Sequence, residues 1–292
     1  MTIWNLGSIN IDHVYRLDNL PRPGETLASR GYSVGLGGKG ANQSVAAAQS
    51  GAETRHLGAM GAQDRWVRER LRDAGVDISG IQRLPGQVTG HAIILLDESG
   101  ENAIVIDPGA NRAIDEAKLK ASLKGMTPED TLLLQNETSA QTVAARAAAQ
   151  AGARIIYSAA PFELQAVRAM LPFASILAMN EGEAAQLFAA IPGELPVDGL
   201  LVTKGSKGAE YRDLKTGEVH HQPAFRVSAA DTTAAGDTFA GYFAGALDEG
   251  AAIPAALRLA AAAAALKVTR QGAGDAIPAR PEVEAFLADQ PI

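Results

Sequence analysis

The chain has 292 residues, of which 26 are Lys or Arg and 33 are Asp or Glu, so its formal net charge is -7. A hydrophobic fraction of 47% is ample for a sizeable core and excludes the disordered and collagen-like classes. The absence of cysteine excludes disulfides, thiolate metal clusters and a catalytic thiol, and predicts a cytoplasmic location. The longest apolar run, Leu259–Leu266, is too short to span a membrane, and no Lys/Arg cluster offers a surface to nucleic acid, so neither is an expected partner.

Two segments in the first third of the chain have the pattern of antiparallel strands. One covers residues 26 to 36. The other covers residues 88 to 107 and turns at residues 97 to 101, which predicts a hairpin with strands His91–Leu96 and Asn102–Ile106. The two segments predict a small second sheet, either as a lid over a main sheet or as an elaboration of its edge.

From about residue 130 onward, short β-branched or leucine-rich runs alternate with alanine-rich stretches. This rhythm, in strands without polar alternation, predicts an α/β fold whose mostly parallel sheet is covered by helices on both faces. The predicted strands are Thr131–Gln135, Arg154–Tyr157, Ser175–Met179 and Leu200–Thr203. The predicted helices are Ala140–Ala151, Ala235–Glu249, Pro254–Lys267 and Pro281–Ala288.

A first glycine cluster, residues 35 to 42, formally contains G-x-G-x-x-G between a possible strand and a helix. A dinucleotide site would need an acidic residue after the next strand, but the strand near residues 55 to 57 runs into a glycine-containing segment. A P-loop also fails, because Lys39 is followed by Gly40 rather than by Ser or Thr. Such a density of glycine indicates close approach of a ligand to the backbone, with a flexible turn into a helix as the alternative.

A second cluster, residues 231 to 239, leads from a polar loop into an apolar-periodic helix. Small residues at 234 to 236 leave backbone N–H groups uncovered at a helix N-terminus, where partial positive charge favours a phosphate. Asp237 would stand beside that anion site. The alternative is that Asp231 or Asp237 caps the helix, and this pattern alone does not separate the two interpretations.

Further polar residues follow predicted strand ends, where open α/β sheets bind their ligands. Asn180 and Glu183, at a helix start, could share a face toward a hydrated metal, or form an N-cap with a solvent-exposed Glu. The histidines show no metal-ligand spacing. The strand-end residues are Asn10, Asp12, Gln135, Asn136, Glu137, Asn180, Glu183 and the segment Thr203–Gly208.

In their order along nearly the whole chain, these motifs resemble the ribokinase group of the PfkB sugar kinases. The resemblance rests on Asn10–Asp12, Pro23–Thr26, Gly37–Asn42, Pro108–Asn111, Gln135–Glu137, Asn180–Glu183, Thr203–Gly208 and Asp231–Asp237. It implies one kinase domain over residues 1 to 292, with a three-layer ribokinase-like α/β fold and a small β-sheet lid formed by about residues 12 to 36 and 88 to 107. The implied activity is ATP-dependent phosphorylation of a small sugar, such as ribose or a related pentose or ketose.

The resemblance also implies site residues. Asp237 matches the catalytic base, beside an anion hole formed by the backbone of Ala234, Ala235 and Gly236. Adjacent sugar hydroxyls can donate to one carboxylate, and Asp12 and Glu137 match such acceptors. The sugar-contacting positions are matched by Asn10, Asp12, Gly38, Lys39, Asn42, Glu137 and Asp237. The ATP-binding positions are matched by Asn180, Thr203, Gly205, Gly208 and Gly236.

Two metal sites follow from the same resemblance. Asn180 and Glu183 match the motif that organises hydrated Mg²⁺, the implied cofactor alongside ATP as co-substrate. K⁺ is the second implied cation, but Ala276 stands where ribokinase-like sequences generally carry a Ser ligand, which implies weaker potassium dependence. The ligands that would remain are Asp231, the Thr233 carbonyl and Gly272, with Asp275 adjacent.

Two further departures concern the nucleotide and the fold. Ala261 replaces a polar residue often found beside adenine, so looser purine recognition is expected. The segment between Phe188 and Leu200 contains Pro192 and Gly193, and leaves too few residues for the crossover helix expected there. These changes indicate a sugar kinase that need not be a true ribokinase.

Three functional classes stay open. A sugar kinase requires an intact site around Asp237. A nucleoside kinase of the same superfamily would prefer a larger apolar pocket, against which Asn10 and Asp12 argue. A non-catalytic sugar-binding regulator would be expected to have lost the base or the anion hole.

The predicted small sheet has an apolar face that it cannot bury alone. Ile93, Leu95, Ile104 and Ile106 would then pack against a second copy of the lid. The resemblance implies that this contact makes a homodimer.

Overall fold

The computed structural model describes residues 1–290, which form a nine-stranded sheet, a four-stranded sheet and nine α-helices. The predicted three-layer α/β fold with a mostly parallel central sheet and a small second sheet is confirmed. No helix in this part of the chain is long and apolar enough to cross a membrane. The strands are β1 (Ile3–Leu6), β2 (Asn10–Arg16), β3 (Gly31–Gly37), β4 (Thr54–Gly61), β5 (Ile81–Leu84), β6 (Gly90–Leu96), β7 (Asn102–Asp107), β8 (Thr131–Gln135), β9 (Arg154–Ser158), β10 (Ile176–Asn180), β11 (Gly199–Thr203), β12 (Ala209–Asp213) and β13 (Val219–Gln222). The helices are α1 (Lys39–Gln49), α2 (Arg65–Asp73), α3 (Glu116–Ser122), α4 (Gln141–Ala151), α5 (Leu164–Met170), α6 (Glu181–Ala190), α7 (Ala235–Asp248), α8 (Ile253–Val268) and α9 (Arg280–Ala288).

The larger sheet is parallel except at one edge. Its strand order is β13-β12-β11-β10-β9-β8-β1-β4-β5. β12 is the one strand of this sheet that runs opposite to all the others. Alternate residues of each strand enter different cores. Ile3 and Leu133 pack with α1, α7 and α8, whereas Trp4 and Leu132 pack with α3, α4, α5 and α6. Helices therefore cover both faces, which is why the parallel strands show no polar alternation.

The carboxyl ends of the parallel strands meet at one edge of this sheet. β1, β8, β9, β10 and β11 are successive parallel neighbours, so the residues that follow them lie side by side. Asn180 and Thr203, the last residues of β10 and β11, line one cavity together with the first turn of α7. The strand-end polar residues therefore lie at the edge where such sheets bind ligands.

The small sheet has the strand order β3-β2-β6-β7. The predicted hairpin at residues 97 to 101 is confirmed, with β6 and β7 paired antiparallel on either side of it. Residues 26 to 30, expected in a strand, instead precede β3. The reason is that the partner strand β2 ends at Arg16, which pairs with Gly31, so the earlier residues have no strand beside them.

The register of the small sheet corrects the predicted apolar face. Ile93 and Leu95 lie on one face, whereas Ile104 and Ile106 lie on the other, because Ile93 pairs with Val105 rather than with Ile104. Each strand is apolar at nearly every position, so the sequence pattern did not fix the phase of one strand against the other.

A complete helix connects β10 to β11. α6 begins directly after β10, and the segment with Pro192 and Gly193 is only the loop that leads into β11. The expectation of a missing crossover helix is wrong, because the helix starts within the Asn180–Glu183 motif rather than after Phe188.

Helices α1 and α7 pack through two glycines of α7. A Cβ at Gly241 would lie only 2.6 Å from the carbonyl oxygen of Gln43. A Cβ at Gly245 would overlap the hydroxyl of Ser50. Only glycine therefore permits this distance between the helices. Asp237 lies one turn before Gly241, on the face of α7 that meets α1.

We expect Gly241→Ala to lower the free energy of unfolding by about 1–3 kcal/mol, because the added methyl group forces α1 and α7 apart. This loss should exceed the roughly 1 kcal/mol that alanine gains over glycine in a helix. The measurement is chemical denaturation, with Gly125→Ala as the control, since a Cβ there would meet only the Trp4 ring at 4.0 Å. A Gly241→Ala variant as stable as the parent protein would contradict the packing described.

Candidate active site

The N-terminus of α7 is open. The helix begins at Ala235, and its N-cap residue, Ala234, has a left-handed backbone with φ of 58° and no capping side chain. The Ala235 N–H donates to the Thr232 carbonyl oxygen at 3.2 Å, whereas the N–H groups of Ala234 and Gly236 have no acceptor within residues 1–290. The alternative in which Asp231 or Asp237 caps the helix is therefore wrong, and the free N–H groups are available to an anion.

Asp237 is held by two amide side chains of α1. Asn42 Nδ2 donates to Asp237 Oδ2 at 3.1 Å, and Gln43 Nε2 donates to Asp237 Oδ1 at 3.0 Å. One carboxylate oxygen is thus bonded by each amide, which fixes the plane of the carboxylate beside the uncapped N–H groups. A carboxylate so oriented can still accept a proton from a ligand hydroxyl through a remaining lone pair.

Lys39 lies among three carboxylates. Burial lowers the pKa of its ammonium, but Asp237, Glu137 and Glu183 together outweigh this and raise the pKa above the ordinary lysine value. Lys39, Asp237 and Glu183 line one cavity of about 180 Å³, together with Gly236. The cavity therefore combines a charged ammonium and free backbone donors, the groups that a transferred phosphoryl group requires.

Of the predicted sugar-contacting residues, only Lys39 and Asp237 line this cavity, and Asn42 and Glu137 are hydrogen-bonded to these two. Glu137 Oε2 accepts hydrogen bonds from the Ser8 hydroxyl at 2.5 Å and from the Lys39 N–H at 3.1 Å. Asn10 Oδ1 accepts from Asn111 Nδ2 at 2.8 Å. The glycine that precedes α1, Gly38, has φ of 92° and lies against the backbone of Ser8. These hydrogen bonds connect the loop between β1 and β2, the start of α1 and the segment after β8 around the predicted sugar-contacting side chains.

The Asp12 carboxylate and the side-chain oxygen of Asn42 have no hydrogen-bond donor within the described residues. Burial, followed by the charge of Glu137, raises the pKa of Asp12 to about 6. The Asp12 carboxylate lies directly over Gly37, where any side chain would collide with it. Asn42 Oδ1 is buried without a hydrogen-bond partner in the described chain. Hydroxyl donors of a sugar would satisfy Asp12, whereas Asn42 Oδ1 faces Gly274.

Asn180 and Glu183 form a capping box at the start of α6. Glu183 N–H donates to Asn180 Oδ1, and Asn180 N–H donates to Glu183 Oε2, both at 2.8 Å. The predicted N-cap is thus present, but Glu183 is half-buried rather than solvent-exposed, and both residues line the cavity with Asp237. Burial raises the pKa of Glu183, and Asp237 adds to this, so the site would favour a nearby cation.

A larger cavity of about 480 Å³ adjoins the first. Thr203, Thr232 and Gly236 line both cavities, which makes them continuous. Its other predicted residues are Gly205 and Gly208, and its walls are mostly apolar. They include Phe225, Val227, Ala261, Ala264, Ala265 and Val268.

The predicted monovalent-cation residues come together away from both cavities. Asp231 Oδ1 accepts from the Thr233 N–H and Oδ2 from the Gly272 N–H, both at 2.9 Å. Asp275 does not join them, because its carboxylate accepts from Arg70 at 3.0 Å. Ala276 is buried and offers only a methyl group. Asp275 and Ala276 therefore add no oxygen to this group, and each Asp231 carboxylate oxygen already accepts one backbone N–H.

Behind Asp237 lies a chain of buried amides, of which sequence reasoning named Gln135 as a strand-end residue but missed Gln43 and Asn5. Gln135 Nε2 donates to Gln43 Oε1 at 2.8 Å and to Asn5 Oδ1 at 2.9 Å. Ser8, which bonds Glu137, was also missed, and Asn111, which bonds Asn10, was recognised only as part of the Pro108–Asn111 motif without a role. The available signal was position alone, since Gln43 follows Asn42 in the glycine cluster and Ser8 follows β1.

The chain matches the family described as pfkB family carbohydrate kinase over residues 2–280. It is 35% identical over 303 residues to the ribokinase of Haemophilus influenzae, with 98% of each chain covered. The solved structure of ribokinase from Thermotoga maritima has a TM-score of 0.88 at 35% identity, with 99% of each chain covered. The structure of Arabidopsis thaliana ribokinase complexed with ribose and ATP has a TM-score of 0.85 at 29% identity, again with 99% of each chain covered. As the motifs around its site predicted, the chain belongs to the pfkB family of carbohydrate kinases.

Proposed function

We propose that the protein transfers the γ-phosphate of ATP to a hydroxyl of ribose or of a closely related pentose or ketose. The observation that carries the proposal is the position of Asp237, held by Asn42 and Gln43 beside the uncapped N–H groups of α7. A base and an anion site in one cavity are what hydroxyl phosphorylation requires. The similarity to a ribokinase solved with ribose and ATP supports ribose as the acceptor.

The reaction needs few groups from the protein. Asp237 accepts the proton of the attacking hydroxyl, while Asn42 and Gln43 keep its carboxylate in place. The free N–H groups of Ala234 and Gly236 bind the charge that develops on the transferred phosphoryl group, and the Ala235 N–H can join them once it leaves the Thr232 carbonyl oxygen. Lys39 adds positive charge at the same cavity. Asn10, Asp12, Gly38, Asn42 and Glu137 orient the sugar so that one hydroxyl meets Asp237.

The nucleotide is assigned to the two continuous cavities. Thr203, Gly205 and Gly208 border the larger cavity, whose apolar walls suit a base, and the absence of a polar group at Ala261 favours loose purine selection. Asn180 and Glu183 would hold hydrated Mg²⁺, which neutralises phosphate charge when bound. Their fit rests on position and donor type, because both line the cavity with Asp237 and carry the amide and carboxylate oxygens that suit a hydrated Mg²⁺. The lack of cysteine supports a cytoplasmic location.

The alternatives fit less well. A non-catalytic regulator has no need of a base and an anion site, and both are present in this cavity. A nucleoside kinase would need an apolar pocket for the base next to the sugar, whereas Asp12, Glu137 and Asn10 offer acceptors and donors for the hydroxyls of a small sugar.

We expect Asp237→Asn to lower kcat for ribose phosphorylation by roughly 10²- to 10⁴-fold with little change in sugar affinity, because the shape stays and the proton acceptor is lost. A coupled ADP-release assay measures the rate. Asp248→Asn makes the same chemical change about three turns further along α7 and serves as the control. Turnover of Asp237→Asn near the parent rate would show that another group is the base.

A second prediction concerns how much the half-buried Asp12 carboxylate lowers the free energy of unfolding. The pKa of Asp12 is about 6 in the folded protein against an ordinary 3.8, so the folded state binds this proton more tightly than the unfolded state. The resulting stability is complete below about pH 4 and is lost as the pH rises through 6. Asp12→Asn should therefore raise the free energy of unfolding by about 3 kcal/mol near pH 7.5, with most of the gain disappearing near pH 4.

The same variant should bind ribose about tenfold more weakly, because a charged acceptor for sugar hydroxyls is gone. Denaturation at the two pH values and calorimetric titration with ribose make the measurements. Equal stability differences at both pH values, or unchanged ribose affinity, would remove Asp12 from its proposed role.

A third prediction is a homodimer through the small sheet, which we propose acts as the lid. Ile93 and Val105 on one face are 40% and 68% exposed, and Ile104 and Ile106 on the other are 51% and 56% exposed. Light scattering at micromolar concentration should give the mass of two chains. Val105→Glu and Ile106→Glu test the two faces separately, and the one that yields monomers identifies the interface. A monomeric parent protein would contradict the proposal.

A further inference from the structure

Lys267 is a buried charge that the proposed reaction does not use. It lies in the last turn of α8 and is 0% exposed. Within residues 1–290 it is the only Lys or Arg among the buried polar residues. A buried ammonium is costly unless it is paired and hydrogen-bonded, and an apolar side chain would fill this position more cheaply. The burial of a lysine at this position therefore indicates a functional role for its charge.

The ammonium contacts the loop that leads into α7. Lys267 Nζ donates to the backbone oxygen of Asp231 at 3.0 Å. The N–H groups of Ala230 and Asp231 both donate to the Val268 carbonyl oxygen, at 2.7 and 3.0 Å. The C-terminal end of α8 thus holds the start of this loop, and a positive charge at a helix C-terminus is also favoured by the helix dipole.

Around Asp231 few side-chain oxygens are left for a free monovalent cation, and the Lys267 ammonium already lies on the backbone oxygen of this residue. Both carboxylate oxygens already accept backbone N–H groups, from Thr233 and Gly272. The two neighbouring candidates are lost, because Asp275 is bonded to Arg70 and Ala276 has no oxygen in its side chain. A cation bound here would also be repelled by the Lys267 ammonium.

We propose that the Lys267 ammonium takes the place of a free monovalent cation beside the loop from Asp231 to Gly236. The charge is tethered to α8, so it holds that loop, and with it the open N-terminus of α7, without any bound ion. This inference rests on the proposed function, since it is the transferred phosphoryl group that needs the loop in place. The enzyme is accordingly independent of potassium.

The first test compares potassium chloride with tetramethylammonium chloride at equal ionic strength. The kcat of the parent enzyme should agree within about twofold between the two salts. Lys267→Met keeps the length of the side chain but removes its charge, and in tetramethylammonium its kcat should fall about tenfold. Its melting temperature should stay the same or rise, because a desolvated charge is gone. A lysine with a purely structural role would give the reverse, a lower melting temperature with unchanged kcat.

The second test is rescue by an added cation. Lys267→Ala opens space for an ion, so potassium or ammonium should restore at least about half of the lost kcat. The same ions should raise the melting temperature of Lys267→Ala by about 2 °C or more, as expected for ligand binding to the folded state. Neither ion should do so for the parent protein or for Lys215→Met, which removes a surface lysine paired with Asp198.

Two results would overturn the proposal: a parent enzyme whose kcat rises several-fold with potassium, or a Lys267→Met variant with unchanged kcat in tetramethylammonium. If Lys267→Ala does not fold, Lys267→Met decides. The melting measurements need no turnover, so an error in the proposed substrate would be recognised separately, as absent ribose phosphorylation by a parent protein whose melting behaves as expected.

Discussion

The site depends on how closely α1 and α7 approach each other. Gly241 lets the backbone of α7 lie against the Gln43 carbonyl, and Gly245 does the same beside Ser50. At this distance the side chains of Asn42 and Gln43 reach Asp237, 195 and 194 residues away in sequence. A wider helix pair would leave the carboxylate of Asp237 without its amide donors, and therefore free to rotate away from the anion site.

The first turn of α1 is also fixed from its other side by a close backbone contact. A Cβ at Gly40 would lie 2.4 Å from the Ser8 nitrogen, so the first turn of α1 rests on the loop between β1 and β2. That loop carries Ser8, which bonds Glu137, and leads into the strand that carries Asp12. The contact of α1 with α7 and its contact with this loop thus set the distance between the proposed sugar-binding residues and Asp237.

Two half-buried carboxylates at the site, those of Asp12 and Glu183, are not fully compensated for their charge in the ligand-free protein. Burial raises the pKa of both Asp12 and Glu183, which means that each carboxylate is held in an environment that disfavours its charge. Lys39 offsets part of this through its three carboxylate neighbours. Sugar hydroxyls and a hydrated cation would supply the remaining compensation, as is common where function is maintained at some expense of stability.

Much of this arrangement could be predicted from the sequence. Buried parallel strands and glycine-ended helices are local patterns, so Thr131–Gln135 and α4 were predicted to within a residue. What could not be predicted depends on contacts between distant segments. The phase of β6 against β7, the amides behind Asp237 and the burial of Lys267 are of this kind, since a lysine in the last turn of a helix ordinarily points to solvent.

The most direct test of the account is a crystal structure of the protein with ribose and a non-hydrolysable ATP analogue. We expect one ribose hydroxyl within hydrogen-bond distance of an Asp237 oxygen, with adjacent hydroxyls bonded to Asp12. The terminal phosphate should meet the N–H groups at the start of α7. Ribose bound with every hydroxyl out of reach of Asp237, or Asp237 released from Asn42 and Gln43 in the complex, would contradict the central claim.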